Sequence, residues 1–293
     1  MKPAVFEYHT PTELNEALDL LEEFGFDAKI MSGGQSLIPM MNMRLARPKV
    51  IIDINNISDL NYIRVNDSVV QIGGMTRHYQ VEESEKISQV CPLLSEGMKL
   101  IGHSQIRSRG TIGGSVAHAD PTAELPVMLA TLGATITLAS SDGLRTVTTD
   151  EFFITYMTTA MEMNEILVSV EIPLPPKRTG FAIDEFTLRK GDFGIVLAAA
   201  MVTLDEEGKI SAATLCLGGV DGVPVVLEEV TEGLIGHFPD DELISECCNL
   251  IGEFIDPEPD VHASAEYRKD LSITYAKRVL LLASNRASIS EVK

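Results

Sequence analysis

Two segments of this chain join paired glycines to small hydroxyl side chains: Ser32-Gly33-Gly34-Gln35-Ser36, directly after the apolar run Ala28-Lys29-Ile30-Met31, and Thr111-Ile112-Gly113-Gly114-Ser115. Glycines at the end of a strand let the backbone take positive φ and leave no Cβ in a ligand's way, so consecutive N–H groups can point at a pyrophosphate. One Gly-Gly turn is a routine structural device. Two of matching composition either bind an anion together or serve as tight turns, and on the glycines alone both readings stand. Neither segment fits a known nucleotide fingerprint: no G-x-G-x-x-G opens a helix and there is no G-x-x-x-x-G-K-[ST], which disfavours a Rossmann site and ATP hydrolysis. With a formal net charge of −20, the chain must neutralise a diphosphate mainly with backbone amides, helped by Lys29, Arg107 or Arg109 near the loops. The same acidity repels a nucleic-acid backbone.

Periodicity places the loops in a mixture of short β and α units. Thr10-Pro11-Thr12-Glu13 has the form of a capping box with proline at the first helical position, and Leu14, Ala17, Leu18, Leu21 and Phe24 then recur at helical spacing up to Gly25. Val50 to Ile54 and Val69 to Ile72 are predicted strands, the latter ending in Gly73-Gly74, and the span 79–102 is predicted helical. Ser141-Asp142-Gly143 between Ala134–Ala139 and Leu144–Thr148 predicts a β-hairpin, and Glu165 to Ile172 a strand closed by Pro173. Pro173-Leu174-Pro175-Pro176 interrupts strand pairing and marks a domain boundary, with units at 1–176 and 177–293. The second unit reads as a meander, Ala182 to Arg189, Val196 to Leu204 and Ile210 to Leu217, followed by helices near 240–255 and 264–286, an α+β arrangement.

Cys91, Cys216, Cys247 and Cys248 show no C-x-x-C spacing and read as buried or idle thiols. No run of about eighteen apolar residues spans a membrane, and the opening MKPAVFEYHT lacks the regions of a signal peptide, so the expected location is the cytoplasm.

The longer sequences around the two loops resemble a known family. Met31-Ser32-Gly33-Gly34-Gln35-Ser36-Leu37-Ile38-Pro39, then Arg44-Leu45-Ala46-Arg47-Pro48 and Ile52-Asp53-Ile54, are similar to the first FAD segment of the medium subunits of molybdenum hydroxylases such as carbon monoxide dehydrogenase and xanthine dehydrogenase. Arg109-Gly110-Thr111-Ile112-Gly113-Gly114-Ser115-Val116-Ala117-His118-Ala119-Asp120-Pro121 and Glu124-Leu125-Pro126 resemble the second. Glu165 to Pro173 and Ser264-Ala265-Glu266-Tyr267-Arg268 look like further landmarks in the right order, so the resemblance covers essentially the whole chain.

The resemblance implies an α+β protein: a two-lobed FAD-binding domain of the vanillyl-alcohol-oxidase type, lobes about 1–57 and 58–176, followed by a smaller α+β C-terminal domain. It implies FAD contacts at Lys29, Ser32, Gly33, Gly34, Gln35, Ser36, Thr111, Ile112, Gly113, Gly114, Ser115, Glu124, Leu167 and Lys190. It also implies electron transfer from [2Fe-2S] clusters of a small partner subunit to an external acceptor. Hydroxylation of an N-heterocycle, aldehyde or similar substrate then belongs to a large molybdopterin subunit, in a dimer of heterotrimers or similar assembly. Many relatives carry asparagine where this chain has Ser115, which shortens the reach of that contact. No segment matches the cysteine-rich insert that some relatives use for a further iron cluster.

Each residue also has a plain reading. Glu124 after Asp120-Pro121 suits a helix N-terminus as well as a ribose or ring contact. Lys190 is either a cation beside the flavin ring or a solvated turn lysine, and Leu167 and Ile195 serve as packing. His118 and His103 read as structural. A self-contained flavin oxidase and a non-enzymatic assembly module are the alternatives, and the second would purify colourless.

Overall fold

The computed structural model describes residues 2–289. The first lobe is built on a three-stranded parallel sheet with Val50–Asp53 between Glu7–His9 and Ala28–Met31. Val50, Ile51 and Ile52 are all buried, as a central parallel strand covered on both faces requires. Helix Leu14–Phe24 packs Ala17, Leu18 and Leu21 against this sheet. It begins later than the capping-box reading implies. Glu13 is its extended N-cap without a side-chain cap. The reciprocal contact instead runs from the Thr12 amide to the Glu16 carboxylate at 2.9 Å.

The second lobe holds a five-stranded antiparallel sheet in the order Ile63–Val65, Val69–Gly73, Ile166–Pro173, Thr135–Ser140, Gly143–Thr148. The expected hairpin forms its last two strands. The span expected to be helical is broken into His78–Glu82, Glu85–Val90 and Pro92–Gly97. Two local causes account for the breaks. The Ser84 hydroxyl caps a new start by accepting from the Ile87 amide at 3.3 Å. Pro92 cannot donate to the preceding turn and begins the next helix instead. Leu93, Leu94, Met98, Leu125, Met128 and Phe152 fill the core of this lobe.

The C-terminal part is a four-stranded antiparallel meander, Thr179–Phe186, Val196–Leu204, Ile210–Gly218 and Val225–Val226, covered by the 25-residue helix Ala265–Ile289. Its first strand stops at Phe186 rather than Arg189, so residues 187–195 form a loop. The expected helix near 240–255 divides into Asp241–Asn249 and Ile251–Phe254. Arg286 on the long helix donates to the Phe181 carbonyl of the meander at 2.6 Å and to Glu96 of the second lobe at 2.9 Å. All four cysteines are free and buried, and burial pushes the Cys91, Cys216 and Cys248 thiols up to about 12. Among the described residues no helix is long and apolar enough to cross a membrane.

Candidate functional site

The first glycine segment leaves the parallel strand Ala28–Met31 and turns into the short helix Leu37–Asn42. Gly34 has φ +70°, a conformation that a residue with a Cβ adopts only under strain. Its carbonyl accepts from the Ile38 amide at 3.0 Å, and the Gln35 side chain donates to the Gly33 carbonyl at 3.2 Å. Among the described residues, the amides of Gly33, Gly34, Gln35 and Ser36 donate to no protein acceptor. Three of these four unengaged donors, those of Gly33, Gly34 and Gln35, belong to residues that line a cleft of about 450 Å³ together with Met31, Ser32, Ile38, Pro39 and Arg109, and that of Ser36 follows directly in sequence.

The second segment is not a loop but the start of helix Ile112–His118, with Thr111 as its N-cap. Its amides are already engaged. Ile112 donates to the Thr76 carbonyl at 3.0 Å, Gly113 to that of Gly74 at 2.8 Å, Gly114 to the Thr111 hydroxyl at 3.1 Å and Ser115 to the Thr111 carbonyl at 3.1 Å. The expectation that both segments offer consecutive N–H groups is thereby corrected, since only the first does. The second brings hydroxyls: that of Thr111 donates to the Ser32 hydroxyl at 3.1 Å and joins the two segments.

The glycines serve mainly close approach. Of Gly33, Gly34, Gly113 and Gly114, only Gly34 has positive φ. A Cβ on Gly33 would meet the Arg109 carbonyl and lie 2.9 Å from Gly110 Cα, and one on Gly113 would lie 2.8 Å from the Gly74 oxygen. A Cβ on Gly114 would meet the Ser32 and Thr111 hydroxyls. The pairs thus let three backbone segments touch, and they leave the cradle open where a side chain would fill it.

The remaining expected residues fall at different distances from this cradle. Lys29 is exposed on the strand that feeds the first loop. Arg107 is fully engaged: it holds Glu82 through two hydrogen bonds, at 2.7 and 3.3 Å, and donates to the Ile101 and Gly102 carbonyls. Arg109, by contrast, lines the cleft and is the cation placed to meet an anion there. Leu167 is buried in strand Ile166–Pro173, at a register shift, and its carbonyl lies against Gly74. Ile195 is buried packing, as expected. Lys190 is exposed in the loop 187–195, which rests on the His103 imidazole at Gly191.

Glu124 begins helix Glu124–Thr131 and is 4% exposed. Burial pushes its carboxyl up to about 7, with Asp120 adding to the shift and its own backbone amide opposing it. Glu185, on strand Thr179–Phe186, is pushed up to about 8 by burial, then by Glu124 and Asp184, and its Oε2 is buried without a partner. The buried Glu124 and the half-buried Glu185 therefore lie close enough for their charges to couple, one on helix Glu124–Thr131 and the other on strand Thr179–Phe186.

Three residues escaped the sequence reading. His78 is buried and held neutral, its imidazole pulled down to about 4 by burial, with Nε2 2.9 Å from the Thr111 carbonyl. Arg77 donates to Asn55 Oδ1 at 2.5 Å and to the Arg109 carbonyl, and Asn55 donates to the Ser32 carbonyl at 2.7 Å. No local pattern marks them, because the contacts that tie them to the two glycine segments join residues more than twenty positions apart.

Comparison with known proteins matches both halves of this architecture. Residues 4–175 match the model of the FAD binding domain in molybdopterin dehydrogenase, and residues 181–283 that of the CO dehydrogenase flavoprotein C-terminal domain. The chain is 41% identical to the 6-hydroxypseudooxynicotine dehydrogenase complex subunit alpha of Paenarthrobacter nicotinovorans, over 98% of this chain and 97% of the relative. It is 35% identical to the caffeine dehydrogenase subunit beta of Pseudomonas sp. (strain CBB1), over 100% and 99%. A solved structure of carbon monoxide dehydrogenase from Hydrogenophaga pseudoflava, lacking the Mo-pyranopterin moiety, superposes with a TM-score of 0.94 at 34% identity, covering 98% of this chain and 99% of that one.

Proposed function

This chain belongs to the family of FAD-binding medium subunits of molybdenum hydroxylases, and from that premise we propose that it is the electron-transfer subunit of such a complex. In this reading it takes electrons from [2Fe-2S] clusters on a small partner subunit and delivers them to an external acceptor. A large molybdopterin subunit hydroxylates the substrate, an N-heterocycle, aldehyde or similar compound. Relatives named for caffeine and 6-hydroxypseudooxynicotine support the heterocycle arm. The assembly is a dimer of heterotrimers or a similar multiple, located in the cytoplasm.

The observation that carries the cofactor assignment is the row of four unengaged amides from Gly33 to Ser36 beside Arg109, in a chain otherwise strongly acidic. These donors suit a pyrophosphate; the Ser32 hydroxyl lines the same cleft and is held by that of Thr111, and Ser36 and Ser115 are proposed as further contacts. Gly113 and Gly114 contribute by letting the second segment approach, with Ile112 anchoring it in the core. Glu124, the Leu167 backbone, Lys29 and Lys190 complete the proposed contact set. FAD bound here supplies two-electron uptake and release, while this chain supplies position, charge and shielding. The division at 176/177, with lobes meeting near residue 57, belongs to the same proposal. It is supported by the strand pairing, since among the described residues no sheet crosses either boundary.

The test is the absorption spectrum of the purified chain, with the heat-released cofactor identified by mass. A yellow protein that releases FAD, and loses it in a Gly33→Val, Gly114→Val variant, is the expected result. A colourless, folded wild-type chain that takes up no added FAD overturns the assignment.

A further inference from the structure

We infer that Arg77 is a positioning residue for the cofactor cleft, acting as a guanidinium clamp that sets the gap between the two glycine segments. This rests on the FAD reading above. The two terminal nitrogens of the guanidinium lead to two residues that line the cleft, Arg109 directly and Ser32 through Asn55. Nη1 donates to the Arg109 carbonyl, the same carbonyl that forbids a Cβ on Gly33, two residues before the N-cap of the second segment. Nη2 donates to Asn55 Oδ1 at 2.5 Å, and Asn55 Nδ2 passes the contact on to the Ser32 carbonyl at 2.7 Å, the first residue of the first segment. Arg77 and Asn55 in series therefore span segments 77 residues apart in sequence, counted from Ser32 to Arg109.

Both ends of the clamp are themselves held. The Asn55 amide donates to Asp53 Oδ1 at 2.9 Å, its side chain also donates to Asp53, and the Tyr8 hydroxyl donates to the same carboxylate. Arg77 rises from a fixed backbone: its amide donates to Gln80 Oε1 at 2.7 Å, and its main chain forms an antiparallel bridge with Thr111. Removing the side chain leaves those backbone bonds in place, so the effect on the cleft is separable from the effect on the fold. Arginine is the residue this geometry asks for. Two acceptors on different segments match a planar fork, whereas an ammonium is a point donor that serves one of them.

The experiment uses the full chain. FAD affinity of the apoprotein is measured by flavin fluorescence titration, and apoprotein melting is measured alongside, for wild type, Arg77→Met, Arg77→Lys, Asn55→Ala and the Arg77→Met, Asn55→Ala double variant. Arg77→Met is expected to bind FAD about tenfold more weakly, the equivalent of one net hydrogen bond, with only a small loss of melting temperature. Arg77→Lys is expected not to restore affinity. Because Arg77 and Asn55 act in series, the double variant is expected to lose no more than the worse single one. Wild-type affinity in folded Arg77→Met, full rescue by lysine, or losses that multiply would each overturn the inference. If Arg77→Met does not fold, Arg77→Lys and Asn55→Ala carry the same comparison. A wild-type chain that binds no FAD fails at the earlier step and refutes the cofactor assignment itself.

Discussion

Gly113→Ala is the substitution whose outcome follows most directly from this geometry. The added Cβ would lie 2.8 Å from the Gly74 oxygen, 2.9 Å from its Cα and 3.2 Å from its carbonyl carbon. Ordinary contact begins near 3.4 Å, so one backbone must retreat by about 0.6 Å, and no side chain can rotate away to absorb it. Overpacking of this kind costs about 1–3 kcal/mol. Against it stands the helix preference of alanine over glycine, about 0.5–1 kcal/mol, since Gly113 lies in the first turn of Ile112–His118. The clash outweighs that preference by about 1 kcal/mol, within a range of about 0 to 2.5 kcal/mol, and a loss of about 1 kcal/mol lowers the melting temperature of the apoprotein by roughly 2 to 4 °C. The displacement also strains the hydrogen bond of the Gly113 amide to the Gly74 carbonyl and the Thr111–Ser32 contact, so FAD affinity is expected to fall as well. Gly252→Ala is the control: it is helical, a Cβ there meets nothing within 4 Å, and it should be neutral or slightly stabilising. A Gly113→Ala chain that melts at or above the wild-type temperature and binds FAD normally would refute the close-approach argument.

Two further outcomes are expected. Glu124 has a folded-state carboxyl raised from 4.5 to about 7, so its contribution to stability is fully present below 4.5 and lost as pH rises through 7. Glu124→Gln should therefore match wild type near pH 4 and exceed it by on the order of 3 kcal/mol at pH 8. Urea midpoints across that range check this, and a difference independent of pH contradicts it. Arg107→Ala and Arg109→Ala should separate stability from binding. The first breaks a pair whose side chains are 14% and 19% exposed and is expected to cost about 3 kcal/mol of stability. The second should leave melting nearly unchanged while weakening FAD binding, and equal effects of the two on affinity would show that Arg109 is not the cation of the cleft.

The sequence alone determined the features that repeat over a few residues. Alternation and turn residues located the hairpin on either side of Asp142, the aliphatic strand Val50–Asp53 and the meander of Val196–Leu204 and Ile210–Gly218. The strand-to-glycine junction at Met31–Ser32 was legible for the same reason, and the long matching runs around both glycine segments identified the family. Helix ends were less legible. Whether Thr10 or Thr12 is capped, or whether the span after Tyr79 is one helix or three, depends on which local hydrogen bond wins, and several candidates lie within one turn.

Only the tertiary structure decided what the two glycine segments do. Their compositions are nearly the same, yet one keeps four free amides while the other gives its amides to the carbonyls of Gly74, Thr76 and Thr111 and to the Thr111 hydroxyl. The same holds for the cations, since Arg107 is taken by Glu82, 25 residues earlier, and Arg109 is left facing the cleft. Spacing records the period of a helix or strand because those contacts are local. Whether a donor is free depends on acceptors brought in from tens of residues away, and that is settled only when the lobes pack together.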